Sequence, residues 1–83
     1  MVQKVKKRSG ESEPFIREKI VVACLKAGAP LNVARSIADD VEATQARTLE
    51  TSAIRSRVLE QLGKANPEYR DAWILYDRQR GRI

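Results

Sequence analysis

The chain has 83 residues, 42% hydrophobic and 33% charged, which is enough apolar side chain for one small core and leaves no room for a second. No run approaches the length of a membrane-spanning helix, and the opening MVQKVKKRSG has no apolar stretch of signal-peptide type, so a cytoplasmic protein without a membrane partner is expected. The net charge of +5 gathers at the ends: residues 1–8 carry Lys4, Lys6, Lys7 and Arg8 with no acid, and residues 70–83 carry Arg70, Arg78, Arg80 and Arg82 against Asp71 and Asp77.

In chain order, VQKVKKR reads as a strand entering a tight turn at Ser9-Gly10, where glycine tolerates the positive φ of a two-residue hairpin. Glu11 to Phe15 is the return strand, and Pro14 assigns it to an edge or to a strand–helix junction. From about Ile16 the period becomes helical: Ile16, Ile20, Ala23 and Ala27 recur on one face, widened by Val21 and Leu25. Gly28 and Pro30 stop this helix. Asn32 is the expected cap of a second helix with Val33, Ala34, Ile37 and Val41 inward and Asp39, Asp40 and Glu42 outward.

Gln45 to Glu50 breaks the pattern and holds a short third strand through Thr48 and Leu49. Thr51 or Ser52 is the expected cap of a third helix, with Ile54, Val58 and Leu62 on one face and Gly63 as its stop. Asn66-Pro67-Glu68 restarts a helix with a capping side chain, proline at the first position and an acid near the positive end. Tyr69, Ala72, Trp73 and Tyr76 follow at the spacing of a buried stripe. The expected fold class is α+β, mainly α: a small β-hairpin or three-stranded cap on a four-helix bundle, as one domain over residues 1–83.

Enzyme chemistry has little to work with. There is no histidine to serve as general base or metal ligand, and the single Cys24 has no second thiol for a disulfide or a zinc site. Gly10, Gly28, Gly63 and Gly81 stand too far apart for a phosphate-cradling loop. Asp39 and Asp40, adjacent on a helix, point to different faces and read as solvated. The expectation is a protein that binds and does not catalyse.

The most specific feature is the block Val5-Lys6-Lys7-Arg8-Ser9-Gly10, followed by Glu13 and by Lys19-Ile20. Lys7 and Arg8 can grip phosphate oxygens, one as a point charge and the other with a planar fork. Glu13 can accept hydrogen bonds from an adenine amino group or a ribose hydroxyl. This register resembles the opening of the ATP-cone domain, a regulatory module of ribonucleotide reductase large subunits and of the repressor of their genes. Thr51-Ser52-Ala53-Ile54 is similar to the start of that family's third helix, and Tyr76 to Arg80 resembles its aromatic-then-basic ending.

The resemblance implies a nucleotide site. Lys7, Arg8 and Arg80 (with Arg78 as its rival) would hold the triphosphate, while Val5, Glu13, Lys19 and Thr51 line base and sugar. Arg55 falls where some relatives have a histidine near the ribose. The implied regulatory ligand is ATP or dATP, with Mg2+ as an optional companion. The implied output is a change in self-association or in a separate regulated protein. Two departures stand out: Ser9 replaces the usual turn aspartate, and Ile16 replaces the usual aspartate or asparagine at the first helix cap.

Two other readings follow from the residues alone. A basic cluster on a strand is also the footprint of a small nucleic-acid-binding protein, which the calculated pI near 9.8 would suit. A scaffold that has lost its nucleotide would act as a protein-interaction module through its acidic second helix.

Overall fold

The computed structural model describes residues 1–79, with side chains as far as Tyr76. In chain order the elements are β1 (Lys4–Lys6), β2 (Ser12–Pro14), α1 (Arg17–Lys26), α2 (Leu31–Glu42), β3 (Thr48–Glu50), α3 (Thr51–Ala65) and α4 (Pro67–Gln79). A small sheet therefore caps four helices, the mainly α arrangement that the periodicity predicts.

The sheet has the order β2-β1-β3, with β1 antiparallel to β2 and parallel to β3. Both outer strands are edges, so Pro14 costs the sheet no internal ladder bond. The hairpin differs from the two-residue expectation. Gly10 N–H donates to the Lys7 carbonyl at 2.9 Å, and Lys7 N–H donates to the Glu11 carbonyl at 2.8 Å, which closes a three-residue loop of Arg8, Ser9 and Gly10. Gly10 has φ +92°, the left-handed residue that ends such a loop. The extra residue lets the turn follow the twist of the strands, and it carries Arg8 out to the tip.

The α1–α2 hairpin holds the core. Gly28 at φ +96° lets its own N–H reach the Leu25 carbonyl at 3.0 Å, while Ala29 N–H reaches the Cys24 carbonyl at 3.1 Å. This paired closure satisfies carbonyls that a helix end leaves open. Cys24, Ala34, Ala38, Val41 and Leu62 are fully enclosed, and Ile20, Val21, Ala27, Ala29, Ile37 and Val58 complete the cluster. The alanines let α1 and α2 approach closely. Val2, which the sequence pattern did not single out, is buried too, and its N–H donates to the Glu42 carbonyl at 2.9 Å.

Several expected boundaries move, each for a local reason. Asn32 does not cap α2: Pro30 occupies the cap, its carbonyl accepting from Ala34 N–H at 3.0 Å, and Asn32 lies exposed inside the first turn. Thr51 and Ser52 do not cap α3, because Glu50 holds the extended cap conformation and no side chain bonds there. Gly63 does not stop α3. The helix runs to Ala65 and ends at Asn66, whose backbone is extended as a residue before proline must be. The Asn66 side chain does cap α4, accepting from Glu68 N–H at 3.0 Å.

Two apolar expectations also change. Ile16 and Leu25 are 47% and 41% exposed, Ile16 because it precedes the helix and Leu25 because it lies a quarter-turn from Cys24. Tyr69, Ala72 and Trp73 pack on the core but stay half-buried, as does Tyr76. The stripe on α4 covers the core and still reaches the surface.

Candidate functional site

Strand alternation divides the basic block between two faces. Val5 is opposed by Glu13 on β2 and by Leu49 on β3, so these three side chains form one row across the sheet. All three are half-buried, whereas the flanking strand residues are exposed. Lys7, two residues past Val5, lies on the row's side and pairs with Glu13, Nζ to Oε2 at 3.2 Å. Lys4 and Lys6 occupy the opposite face. The cluster that looked continuous in sequence thus separates Val5 and Lys7 from Lys4 and Lys6.

The parallel pairing of β3 with β1 explains Thr51. It brings the start of α3 to the end of β1, where the Thr51 hydroxyl donates to the Lys6 carbonyl at 3.3 Å. The side chain ties the helix start to the sheet, where the sequence pattern assigned it to a cap. Arg55 follows one turn later, on the same flank of α3. It is half-buried, with its guanidinium carbon 5.3 Å above the centroid of the Trp73 ring on α4.

Lys19 is exposed near the start of α1. Lys19, Ala23 and Lys26 run along one side of that helix, and Lys26 reaches α4, donating to the Tyr76 hydroxyl at 2.8 Å. Lys19 therefore stands on the α4 side of α1. Arg8 is exposed at the hairpin tip. Arg80, and the Arg78 side chain, lie outside the described residues.

The structure thus joins Val5, Lys7, Glu13 and Thr51 directly around the end of β1. It attaches Arg55 through α3 and leaves Lys19 and Arg8 as exposed flanks. Leu49 and Trp73 are additions that sequence reasoning missed. For Leu49 the signal was the alternation in Thr48-Leu49-Glu50. For Trp73 the sequence held no separate signal, since periodicity reads an aromatic within a stripe as core.

The electrostatics suit an anion with a polar head. Lys7, Arg8, Lys19 and Arg55 supply donors, and Glu13 supplies one carboxylate acceptor among them. The Lys7–Glu13 pair has side chains 48% and 36% exposed, so it contributes only about 0–1 kcal/mol and yields easily to a stronger partner. A nucleotide fits this donor set: phosphate oxygens to the cations, and hydroxyl or amino groups to the released Glu13. Ile16, at the α1 cap position, makes no capping hydrogen bond and leaves its apolar side chain 47% exposed.

A shallow groove elsewhere is lined by Asp40, Arg57, Glu60 and Gln61. It lies between α2 and α3, where Gln61 donates to Asp40, on the opposite flank of α3 from Arg55. It shares none of the residues above. Cys24 is no reactive group here, because burial pushes its thiol pKa up to about 11. Among the described residues no helix is long and apolar enough to cross a membrane.

Comparison with known proteins identifies a family for the chain. The model of the family described as "ATP cone domain" matches residues 3–82. A protein of Archaeoglobus fulgidus (strain ATCC 49558), described as "Uncharacterized protein", is 44% identical over 39 residues, covering 47% of this chain and 83% of that protein.

Proposed function

This chain belongs to the ATP-cone domain family, and from that premise we propose that it senses ATP or dATP at the end of its sheet and passes the result on by self-association or to a separate partner. ATP-cone domains are nucleotide-binding regulatory modules that do not themselves catalyse. In the proposed site Lys7 and Arg8 grip the triphosphate, joined by Arg80 or Arg78. Val5, Glu13, Lys19 and Thr51 line base and sugar, and Arg55 stands near the ribose. Mg2+ would arrive with the phosphates.

The observation that supports this most is the Lys7–Glu13 pair beside Thr51. In the free protein the two charges occupy each other. An arriving triphosphate competes for Lys7 and thereby turns the Glu13 oxygens toward the nucleoside. Affinity for phosphate and contact with the base are then coupled through one weak ion pair. Regulation follows if two assembly states differ in how well they accommodate the ligand.

Calorimetric titration with ATP, dATP, ADP and GTP in magnesium buffer tests the proposal. Loss of two charge-assisted contacts in Lys7→Ala/Arg8→Ala should weaken ATP binding about 100-fold. Thermal stability should hardly change, because both side chains are exposed. A folded wild-type chain that binds none of the four nucleotides would reject the proposal. Salt-dependent DNA binding in its place would move the function to the opposite face, with Lys4 and Lys6.

A further inference from the structure

The pair formed by Arg55 and Trp73 does more than fill space. Arg55 leaves α3 on the Thr51 flank, and Thr51 is tied to the Lys6 carbonyl at the edge of the sheet. The guanidinium lies 5.3 Å above the Trp73 ring, inside the range of a cation–π contact. Trp73 is itself held from behind, since its ring packs against the buried cluster. Trp73 is thus seated against the core, and Arg55 lies over it.

An unsupported arginine samples many rotamers, and ordering it on binding lowers affinity. Contact with the Trp73 ring restricts that freedom before the ligand arrives. A cation–π contact needs only that the guanidinium lie over the ring, which leaves N–H groups to turn toward oxygen acceptors, so ring contact and ligand contact are compatible. A lysine at position 55 could supply charge but not the planar fork of the guanidinium. The same helix offers its next aromatic to the other flank: the Lys26 ammonium lies 5.1 Å from the Tyr76 ring centroid. Helix α4 thus meets a cation from α3 with the Trp73 ring and a cation from α1 with the Tyr76 hydroxyl.

We propose that Trp73 is a positioning residue, which presents the edge of Arg55 to the ribose oxygens of the bound nucleotide. This rests on the nucleotide reading above and adds a residue to it. The expected consequence is energetic coupling between positions 55 and 73 that is visible in nucleotide affinity and separate from their packing.

A double-mutant cycle read by ATP titration tests it, with folding of each variant checked by circular dichroism. Arg55→Ala and Trp73→Met should each weaken ATP about tenfold, and the double variant should be no weaker than Arg55→Ala within about twofold. Trp73→Phe, which keeps a ring, should stay within about threefold of wild type. If Trp73→Met fails to fold, Trp73→Leu takes its place in the same cycle, with the same losses expected. Equal losses from the Trp73 variant in both Arg55 backgrounds would mean that Trp73 acts through packing, and would overturn the proposal. Unchanged affinity in a folded Trp73→Met would overturn it alone, leaving the nucleotide reading intact. A wild-type chain that binds no ATP would overturn both.

Discussion

The α1–α2 hairpin and the three-stranded sheet are built on opposite principles. In the hairpin, Cys24, Ala34, Ala38 and Val41 are completely enclosed, and the turn between the helices is closed by backbone bonds at Gly28 and Ala29. In the sheet no strand residue is buried, and the central row of Val5, Glu13 and Leu49 is only half-covered. Apolar burial has no competitor other than unfolding, so the hairpin has one stable arrangement. At the sheet end the backbone ladder is joined by a half-exposed ion pair and a hydroxyl contact, and these side-chain contacts are ones that another ligand can replace. Stability lives in one region and adjustability in the other.

The largest expected effect breaks the helical side of this comparison. Leu62 is fully enclosed where α3 meets the core, and Leu62→Ala should cost about 2–5 kcal/mol of stability. Thermal denaturation reads the loss directly. ATP affinity per folded molecule should stay within about twofold, since no ligand contact is removed. The Lys7→Ala/Arg8→Ala variant should show the reverse pattern: affinity lost and the melting temperature kept.

A smaller effect comes from pH. The Cys24 thiol is raised from 9.0 to about 11 by burial, so the folded state holds its proton more tightly than the unfolded state. Its contribution is complete below pH 9 and is lost as pH rises through 11, by at most about 3 kcal/mol. Denaturant titrations between those values should show a downward slope that is reduced in Cys24→Ala. A thiol reagent at neutral pH should modify Cys24 only as fast as the protein opens.

The smallest effect sharpens the boundary of α3. Gly63 lies inside the helix, and a Cβ built on it would stand 3.5 Å from the Arg70 Cδ, an ordinary contact. Gly63→Ala should therefore stabilise by about 0.5–1 kcal/mol. A helix that ended at Gly63 would lose stability with the same change.

What the sequence made legible was chemistry confined to a few neighbouring residues. Asn66-Pro67-Glu68 marked a helix start because cap, proline and acid act within one turn, and the structure has the cap bond as expected. Thr48-Leu49 was recognisable as a strand by its alternation. The residues that changed role depend on partners far along the chain. Thr51 looked like a cap until the parallel pairing of β3 with β1 supplied the Lys6 carbonyl. Trp73 looked like core because periodicity does not tell which neighbour, here Arg55, will lie on its ring. The candidate site was legible as a list; its division into inner and outer faces required the register of β1 against both neighbours.

The central claim is that nucleotide binds at the sheet end and leaves the helical hairpin undisturbed. Backbone amide shifts followed through an ATP titration measure this residue by residue. The account predicts saturable shifts clustered in residues 5–13 and 51–55, with Trp73 joining them and with α2 nearly silent. Shifts centred on Asp40, Arg57 and Gln61, or none at all in a folded chain, would contradict it.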